Sequence, residues 1–453
     1  MVKSLATDMT EGNVSKHLIK FAIPLILGNL FQLTYNASDS IIVGRFVGKN
    51  ALAAVGIANP IMNIVMFFIV GICLGASVLM SEYYGAGNVK KLRREISTTV
   101  IAGFIFTVLI IIICVIFTEP ILGLVKTPKE IIPEAAIYLR IIFISLIFTF
   151  FYNIYAAALR SIGDSKNPLL FLMISAVLNV VMDIVFVVWL KMGVAGSAIA
   201  TSVAEMMSCV FCIVYVHFKI PILKFSFKDM VIDKGLLRST VNYSWATAMQ
   251  QTCLYVGKFM VQGAVNPLGV NSIAAFNAVN RVDDFAFAPE QSISNAMTTF
   301  LAQNRGANKY KRIKKGFLTG MKLETLYWCI LVGIVYLGST AIMKLFVSGS
   351  EVKVISIGSY YLKLMAFFYL LPSWTNGVQG YFRGMGDMKI TLRSTFSQIV
   401  GRVAFSYILA PRIGMVGIAF SCLGGWIVML AYEVPCLIKY RRNFNNKLSE
   451  SSI

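Results

Sequence analysis

The chain has 453 residues, 57% hydrophobic and only 14% charged, with a mean hydropathy of +0.73. A soluble protein of this size needs far more polar surface, so the composition points to a polytopic membrane protein. A formal charge of +20 would suit nucleic acid, but it is spread over the ends of apolar runs, and no nucleic-acid partner is expected.

The residues before Leu18 are polar and mixed in charge. No small-residue cleavage site precedes the first apolar run, which is therefore expected to act as an uncleaved targeting signal. Apolar runs then cover roughly 18–44, 51–83, 98–118, 131–158, 168–190, 194–217, 240–264, 272–302, 317–346, 354–379, 390–410 and 414–437. Each is long enough to cross a hydrocarbon core of roughly 30 Å as a helix. The odd-numbered connections carry only Arg45, Lys49, Lys126, Lys129, Lys191, Lys344, Lys353 and Arg412. The other connections and the tail are strongly basic, as at Lys90, Lys91, Arg93 and Arg94 and again at Lys309, Lys311, Arg312, Lys314 and Lys315. By the positive-inside rule both termini face the cytoplasm of a plasma (bacterial inner) membrane, where the basic ends also attract anionic lipid. The cysteines lie in or at the ends of the apolar runs. Cys209 and Cys212 have CxxC spacing but sit within one run without a second ligand pair, which reads as packing.

The first run carries a polar stripe, Asn29, Gln32, Asn36 and Asp39. Steps of three, four and three residues place all four on one helical face. An intramembrane carboxylate is costly, ~2.5–3.5 kcal/mol on insertion scales, and usually faces a bundle interior or a wet cavity. Asp39 is thus a site candidate, and Pro24 on the same run is expected to kink the helix.

The linker 218–238 divides the spans into six and six: an N-terminal bundle 1–217 and a C-terminal bundle 239–453. The halves repeat in register. Ala51-Leu-Ala-Ala-Val-Gly-Ile-Ala-Asn59 matches Ser272-Ile-Ala-Ala-Phe-Asn-Ala-Val-Asn280. The same offset pairs Gly85-Ala86 with Gly306-Ala307, and Gly193-Val-Ala-Gly-Ser-Ala198 with Gly414-Met-Val-Gly-Ile-Ala419. Arg160-Ser-Ile-Gly-Asp164 matches Arg383-Gly-Met-Gly-Asp387 two residues out of that register. These Arg-x-x-Gly-Asp segments read as structural turns at helix ends. An even number of spans per copy implies parallel repeats about an axis along the membrane normal, with the substrate path between them.

The fifth span carries Asn179 and Asp183, and the sixth Thr201 and Glu205, each pair spaced i, i+4 on one face. Carboxylates brought together in low dielectric cannot all stay bare, so either one holds a proton or a cation such as Na⁺ sits between them. Oxygen ligands alone suit a proton or a hard cation. Through the repeat the first-span stripe nearly vanishes in the second half, where Asn29 maps to Gln250 and Asp39 to Met260. Ion coupling is accordingly expected in the N-half alone. The C-half charges Lys258, Arg281, Asp283, Asp284 and Arg402 are expected to form internal pairs, Arg281 with Asp284 being the nearest in sequence. Glu290, after Pro289, is set apart as a candidate substrate contact. No phosphate-binding loop, HExxH, GxSxG or zinc constellation is present. The chain therefore reads as a secondary transporter without a cofactor rather than an enzyme or pump.

The run Asn29–Gly44, the Ala51–Gly56 segment, the paired Arg-x-x-Gly-Asp turns and the run Asn280–Gly306 resemble the multidrug and toxic compound extrusion (MATE) family over essentially the whole chain. The resemblance implies an all-α membrane protein, a V-shaped pair of six-helix bundles related by a pseudo-two-fold axis. It also implies export of amphipathic, often cationic compounds in exchange for H⁺ or Na⁺. The family's N-half site would fall on Asp39, Asn179, Asp183 and Thr201, which would also hold Na⁺, and on Tyr138 in the fourth span. Some members place acids on the seventh and tenth spans instead; here the seventh has Gln250, Gln251 and Lys258, and the tenth has no carboxylate. Asn29, Gln32, Asn36, Glu205, Gln250 and Glu290 are candidates for the substrate cavity, and the protein is expected to be a monomer. Two rival readings remain: a flippase for a lipid-linked precursor, which would line its cavity with basic residues such as Lys258 and Arg402, and a non-transporting scaffold or receptor.

Overall fold

In lipid a backbone must satisfy its own donors and acceptors, so long apolar runs become helices. The computed structural model describes residues 7–224 and 230–450, except for the side chains of residues 35–41, 49 and 443–450. Among these residues all regular structure is helical.

The first half contains α1 (Val14–Phe46), α2 (Lys49–Gly85), α3 (Val89–Ile116), the short α4 (Thr118–Leu124), α5 (Ile132–Ser161), α6 (Lys166–Asp183) and α7 (Gly193–Lys219). The second contains α8 (Lys234–Val265), α9 (Val270–Gly306), α10 (Tyr310–Phe346), α11 (Val352–Phe368), α12 (Leu370–Gly384), α13 (Met388–Ile413) and α14 (Met415–Glu450). Three features depart from the expected runs. The α4 helix follows the third span, and its Glu119 pairs with Arg140 of α5 at 2.8 Å. α6 continues beyond Asp183 as a π-helical turn, Ile184–Trp189. The tenth span is broken, with α11 and α12 meeting at 45° around Tyr369. Pro372, in the first turn of α12, has no N–H to bond the carbonyl four residues back and its ring crowds that carbonyl.

Eight helices are long and apolar enough to cross a membrane by themselves, and the bent α11–α12 pair makes a ninth. The spans that miss this standard are α8, α9 and α13, which hold Lys258, Asp283, Asp284, Glu290 and Arg402. Polarity is therefore concentrated in three helices of the second half, where neighbours must shield it.

Helix ends follow local chemistry. The side chain of Asn13 accepts from Lys16 N, and that of Asn88 from Lys91 N, both at 3.0 Å, capping α1 and α3. Both Arg-x-x-Gly-Asp segments are stop–start turns, as read from the sequence. Gly163 and Gly386 take φ of +87° and +85°, the left-handed conformation that ends a helix. Asp164 and Asp387 then accept from Asn167 N at 3.1 Å and Ile390 N at 3.4 Å, starting α6 and α13.

Contacts divide the chain into two compact units, Met1–Thr252 with Ala302–Arg312, and Cys253–Leu301 with Ile313–Ile453. The first therefore also holds the start of α8 and the α9–α10 junction. Its core runs through Leu92, Leu139, Phe143, Phe150 and Ile154. A Cβ on Gly103 of α3 would fall 2.4 Å from the Phe150 ring, so the missing side chain seats α5. The second core is built on Phe276, Tyr361, Met365, Tyr369, Ile418 and Trp426. Lipid is as apolar as these side chains, so close packing rather than transfer from water holds such helices together.

Within the first unit the duplication appears as a reciprocal contact. A Cβ on Gly85 would lie 1.9 Å from Gln303 O, and one on Gly306 would lie 1.9 Å from Glu82 O. Gly85 and Gly306 are repeat equivalents, as are Glu82 and Gln303, so equivalents touch each other's partners as they do about a two-fold axis. Arg305 forms an ion pair with Glu82 beside this contact. Gly85→Ala or Gly306→Ala must push the two backbones apart, at about 1–3 kcal/mol. A lower unfolding temperature in detergent is expected for each, whereas Gly56→Ala, which meets nothing within 4 Å, should leave it unchanged.

Candidate functional site

α6 and α7 bring three of the four expected polar residues of their spans, Asn179, Thr201 and Glu205, to one cleft in the first unit, and Asp183 lies outside its lining. Asn179 and Asp183 are buried, at 1% and 0% exposure, one turn apart on α6. Asn179 Nδ2 donates to Thr201 Oγ1 of α7 at 3.4 Å. One turn along α7, Glu205 accepts from Thr149 Oγ1 at 2.6 Å and Ser145 Oγ at 3.0 Å, both on α5. Asn179, Thr201 and Glu205, with Ser175 and Ser208, line a cavity of about 30 Å³, room for about two water molecules. The Asn179 Oδ1 has no protein hydrogen-bond partner among the described residues, so a polar acceptor is left facing the cleft.

Asp183 is the last α-helical residue before the π turn. Such turns release backbone carbonyls from regular pairing and recur at functional sites. α1 packs against α6 and against the π turn itself, which puts the helix carrying Asp39 beside the one carrying Asp183. The side chains of Asp39 and Asn36 lie outside the described residues. Asn29, Gln32 and Pro24 are half-buried on α1, which runs on through Pro24 as one helix. Tyr138 is buried in the apolar core on α5. Gln250 is buried on α8 in the same unit.

Glu290 belongs to the second unit, where it is fully buried and accepts from Ser373 Oγ at 2.6 Å and Asn376 Nδ2 at 3.4 Å. The expected pairing of Arg281 with Asp284 is not formed. Asp284 is bound instead by Lys258 of α8, Nζ to Oδ1 2.7 Å, and Arg281 is exposed. Separation of three residues makes a pair possible on a helix surface, but a half-buried ammonium needs a partner more than an exposed guanidinium does. Asp283 accepts from Tyr369 Oη at 2.5 Å, and Arg402 lines a cavity of about 20 Å³ with Gln398 and Gly257.

Three fully buried carboxyl groups stood outside the sequence-derived candidates: Glu95 on α3, Glu324 on α10 and Glu433 on α14. Glu95 accepts from Thr240 Oγ1 at 2.6 Å and Thr99 Oγ1 at 3.2 Å. Glu95 does have an i, i+4 polar neighbour, Thr99, whereas Glu324 and Glu433 have none. The available signal was the repeat: Glu324 and Glu433 fall opposite Gly103 and Cys212, and Glu95 opposite Gly316. Each is a carboxyl group on one copy only.

The MatE family model matches residues 24–185 and 246–408, once in each half. The probable multidrug resistance protein YoeA of Bacillus subtilis is 31% identical over 440 residues, covering 95% of this chain and 94% of the relative. The probable multidrug resistance protein YpnP of the same organism is 28% identical, covering 92% and 93%. A crystal structure of MATE in complex with MaL6 superposes with a TM-score of 0.91 at 20% identity, over 96% of this chain and 98% of the other. The chain belongs to the MatE family of multidrug transporters, membrane proteins with twelve helices in two bundles, and it is not an enzyme.

Proposed function

We propose that the chain exports amphipathic, cationic organic compounds in antiport with H⁺ or Na⁺, and that the coupling ion binds in the first unit at Asp39, Asn179, Asp183 and Thr201, with Tyr138 beside them. The observation that carries this reading is the polar cleft between α6 and α7, where a carboxamide, hydroxyls and the Glu205 carboxyl group converge inside helices that are otherwise apolar. All its donors are oxygen, which suits a hard cation or a proton. Occupancy changes the charge of the site by one, and a charge moved across 100 mV is worth about 2.3 kcal/mol. Because α1 rests on α6 and on the turn after Asp183, an ion bound there acts on the Pro24-bearing helix and so on the substrate path, for which Asn29, Gln32, Asn36, Glu205 and Gln250 are the candidate residues. The names of the relatives, multidrug resistance proteins, support drug-like substrates. The basic connections support a plasma membrane location with both termini cytoplasmic, and a monomer suffices for the cycle. The flippase reading needs free basic groups in the cavity, and the Lys258–Asp284 pair removes one of them.

Proteoliposomes given either a pH or a Na⁺ gradient, with a cationic dye, test the proposal and identify the ion. Asp183→Asn and Asp39→Asn should each reduce gradient-driven efflux at least tenfold, a change of about 1.4 kcal/mol, without loss of membrane-inserted protein. Wild-type efflux in either variant would defeat it. Thr201→Val leaves the Asn179 amide without its acceptor, at about 1 kcal/mol. The half-saturating concentration of the coupling ion should then rise about fivefold.

A further inference from the structure

The residues that lead into α1 are docked on the other copy of the repeat, at the α9–α10 junction, and all of this lies within the first unit. Met9 is buried. Its N–H donates to Gln303 Oε1 at 3.1 Å, and its carbonyl accepts from Asn304 Nδ2 at 3.3 Å. Arg312, in the first turn of α10, donates to Met9 O and Glu11 O at 2.9 Å each and to Gly12 O at 2.8 Å. Lys309 Nζ donates to Thr10 O at 3.1 Å and to Thr10 Oγ1 at 3.2 Å. Toward the first copy, the bond from Thr7 N to Ile162 O at 3.0 Å ties the same segment to the turn after α5.

No slack separates this cluster from the helix. Gly12 turns the chain at φ +73°, and Asn13 caps α1 by accepting from Lys16 N. The Arg312 guanidinium therefore holds the residue next to the cap. The body of α1 packs against α6 of the first copy, so the start of α1 and the rest of it are held by different copies.

The lead-in to α8 is the counterpart of this segment. Met230 is the repeat equivalent of Met9 and packs against the first core. Val231 N donates to Ser97 Oγ at 2.9 Å and Asp233 N to Thr98 Oγ1 at 3.1 Å, both on α3. Each copy thus receives the lead-in of the other, as equivalents do about a two-fold axis. The guanidinium clamp is not duplicated: the equivalent of Arg312 is Lys91, which lies over the Tyr83 ring at 5.9 Å. A guanidinium presents five donors in a fixed fork and can serve several carbonyls at once.

With the substrate path between the copies, they must part on this side for substrate to enter. The two residues from Thr7 to Met9 span at most about 7 Å, so parting breaks one end of the segment. The Thr7 bond yields before the cluster at Met9–Gly12. We propose that residues 9–13 are a tether by which Arg312 makes the start of α1 follow the second copy, so that Arg312 is a positioning residue linking the ion-binding helix to opening of the substrate path. The tether stands on this geometry; its part in coupling rests on the export reading above.

Hydrogen exchange of the detergent-purified full chain tests the tether. Arg312→Gln should speed amide exchange over residues 16–20 about tenfold, with exchange in α5 unchanged as the control on folding. Arg312→Lys, which keeps the charge without the fork, should not restore protection. Wild-type exchange in either variant would overturn the tether. Dye flux in proteoliposomes tests the coupling. Arg312→Gln should lose gradient-driven accumulation of a cationic dye about tenfold, a change of about 1.4 kcal/mol, while downhill flux of the dye is retained. Accumulation like that of the wild type, or an equal loss of downhill flux, would overturn the coupling role. A wild type that never accumulates the dye would count against the export reading, and the exchange comparison would still decide the tether.

Discussion

An ionised carboxyl group cannot sit bare among apolar helices, and the interior of this protein is arranged around that constraint. The acids inside the helices differ in their neighbours. Asp284 has a basic partner, Lys258. Glu95, Glu205 and Asp283 have hydroxyl donors on neighbouring helices. Glu290 has its donors on α12, and the Glu324 oxygens have no hydrogen-bond partner among the described residues. Charge pairing anchors structure, because breaking a buried pair strands its partner. An acid whose counter-charge can leave has two states, which is what a transport cycle requires.

The irregular parts of the helices lie next to these acids. The π turn begins directly after Asp183, and the break at Tyr369 brings Tyr369 to Asp283 and Ser373 to Glu290. At membrane depth, irregular backbone is tolerated only where protein or a wet cavity satisfies it. A locally unwound helix also offers a place where small changes in charge alter geometry, whereas a straight helix would resist them.

The duplicated halves share scaffolding but not chemistry. Repeat equivalents form matching structures at Gly163-Asp164 and Gly386-Asp387, and touch reciprocally at Gly85 and Gly306. Small residues at such crossings let backbones approach closely, the main attraction between helices in lipid. Apart from these turn aspartates, the buried carboxyl groups of the helices are not duplicated. Asp183 is buried at the end of α6, while Glu324 and Glu433 stand where the first copy has Gly103 and Cys212. Duplication supplied a symmetric frame, and substitution made its two interiors different.

Hydrophobic run length and basic flanks determined from sequence alone that this is a multi-span helical protein built as a tandem repeat, because lipid leaves so few alternatives to the helix. The i, i+4 spacing likewise determined that Asn179 and Asp183 share a face, as do Thr201 and Glu205, since one turn of helix fixes that relation. Tertiary structure decided what lies across from each face. It put Thr201 against Asn179, gave Glu205 its donors on α5, joined Lys258 rather than Arg281 to Asp284, and brought Glu324 to the same stretch of α12 as Glu290. Those contacts join residues far apart in the chain, and helical periodicity reports the direction of a side chain but not the neighbour it will meet.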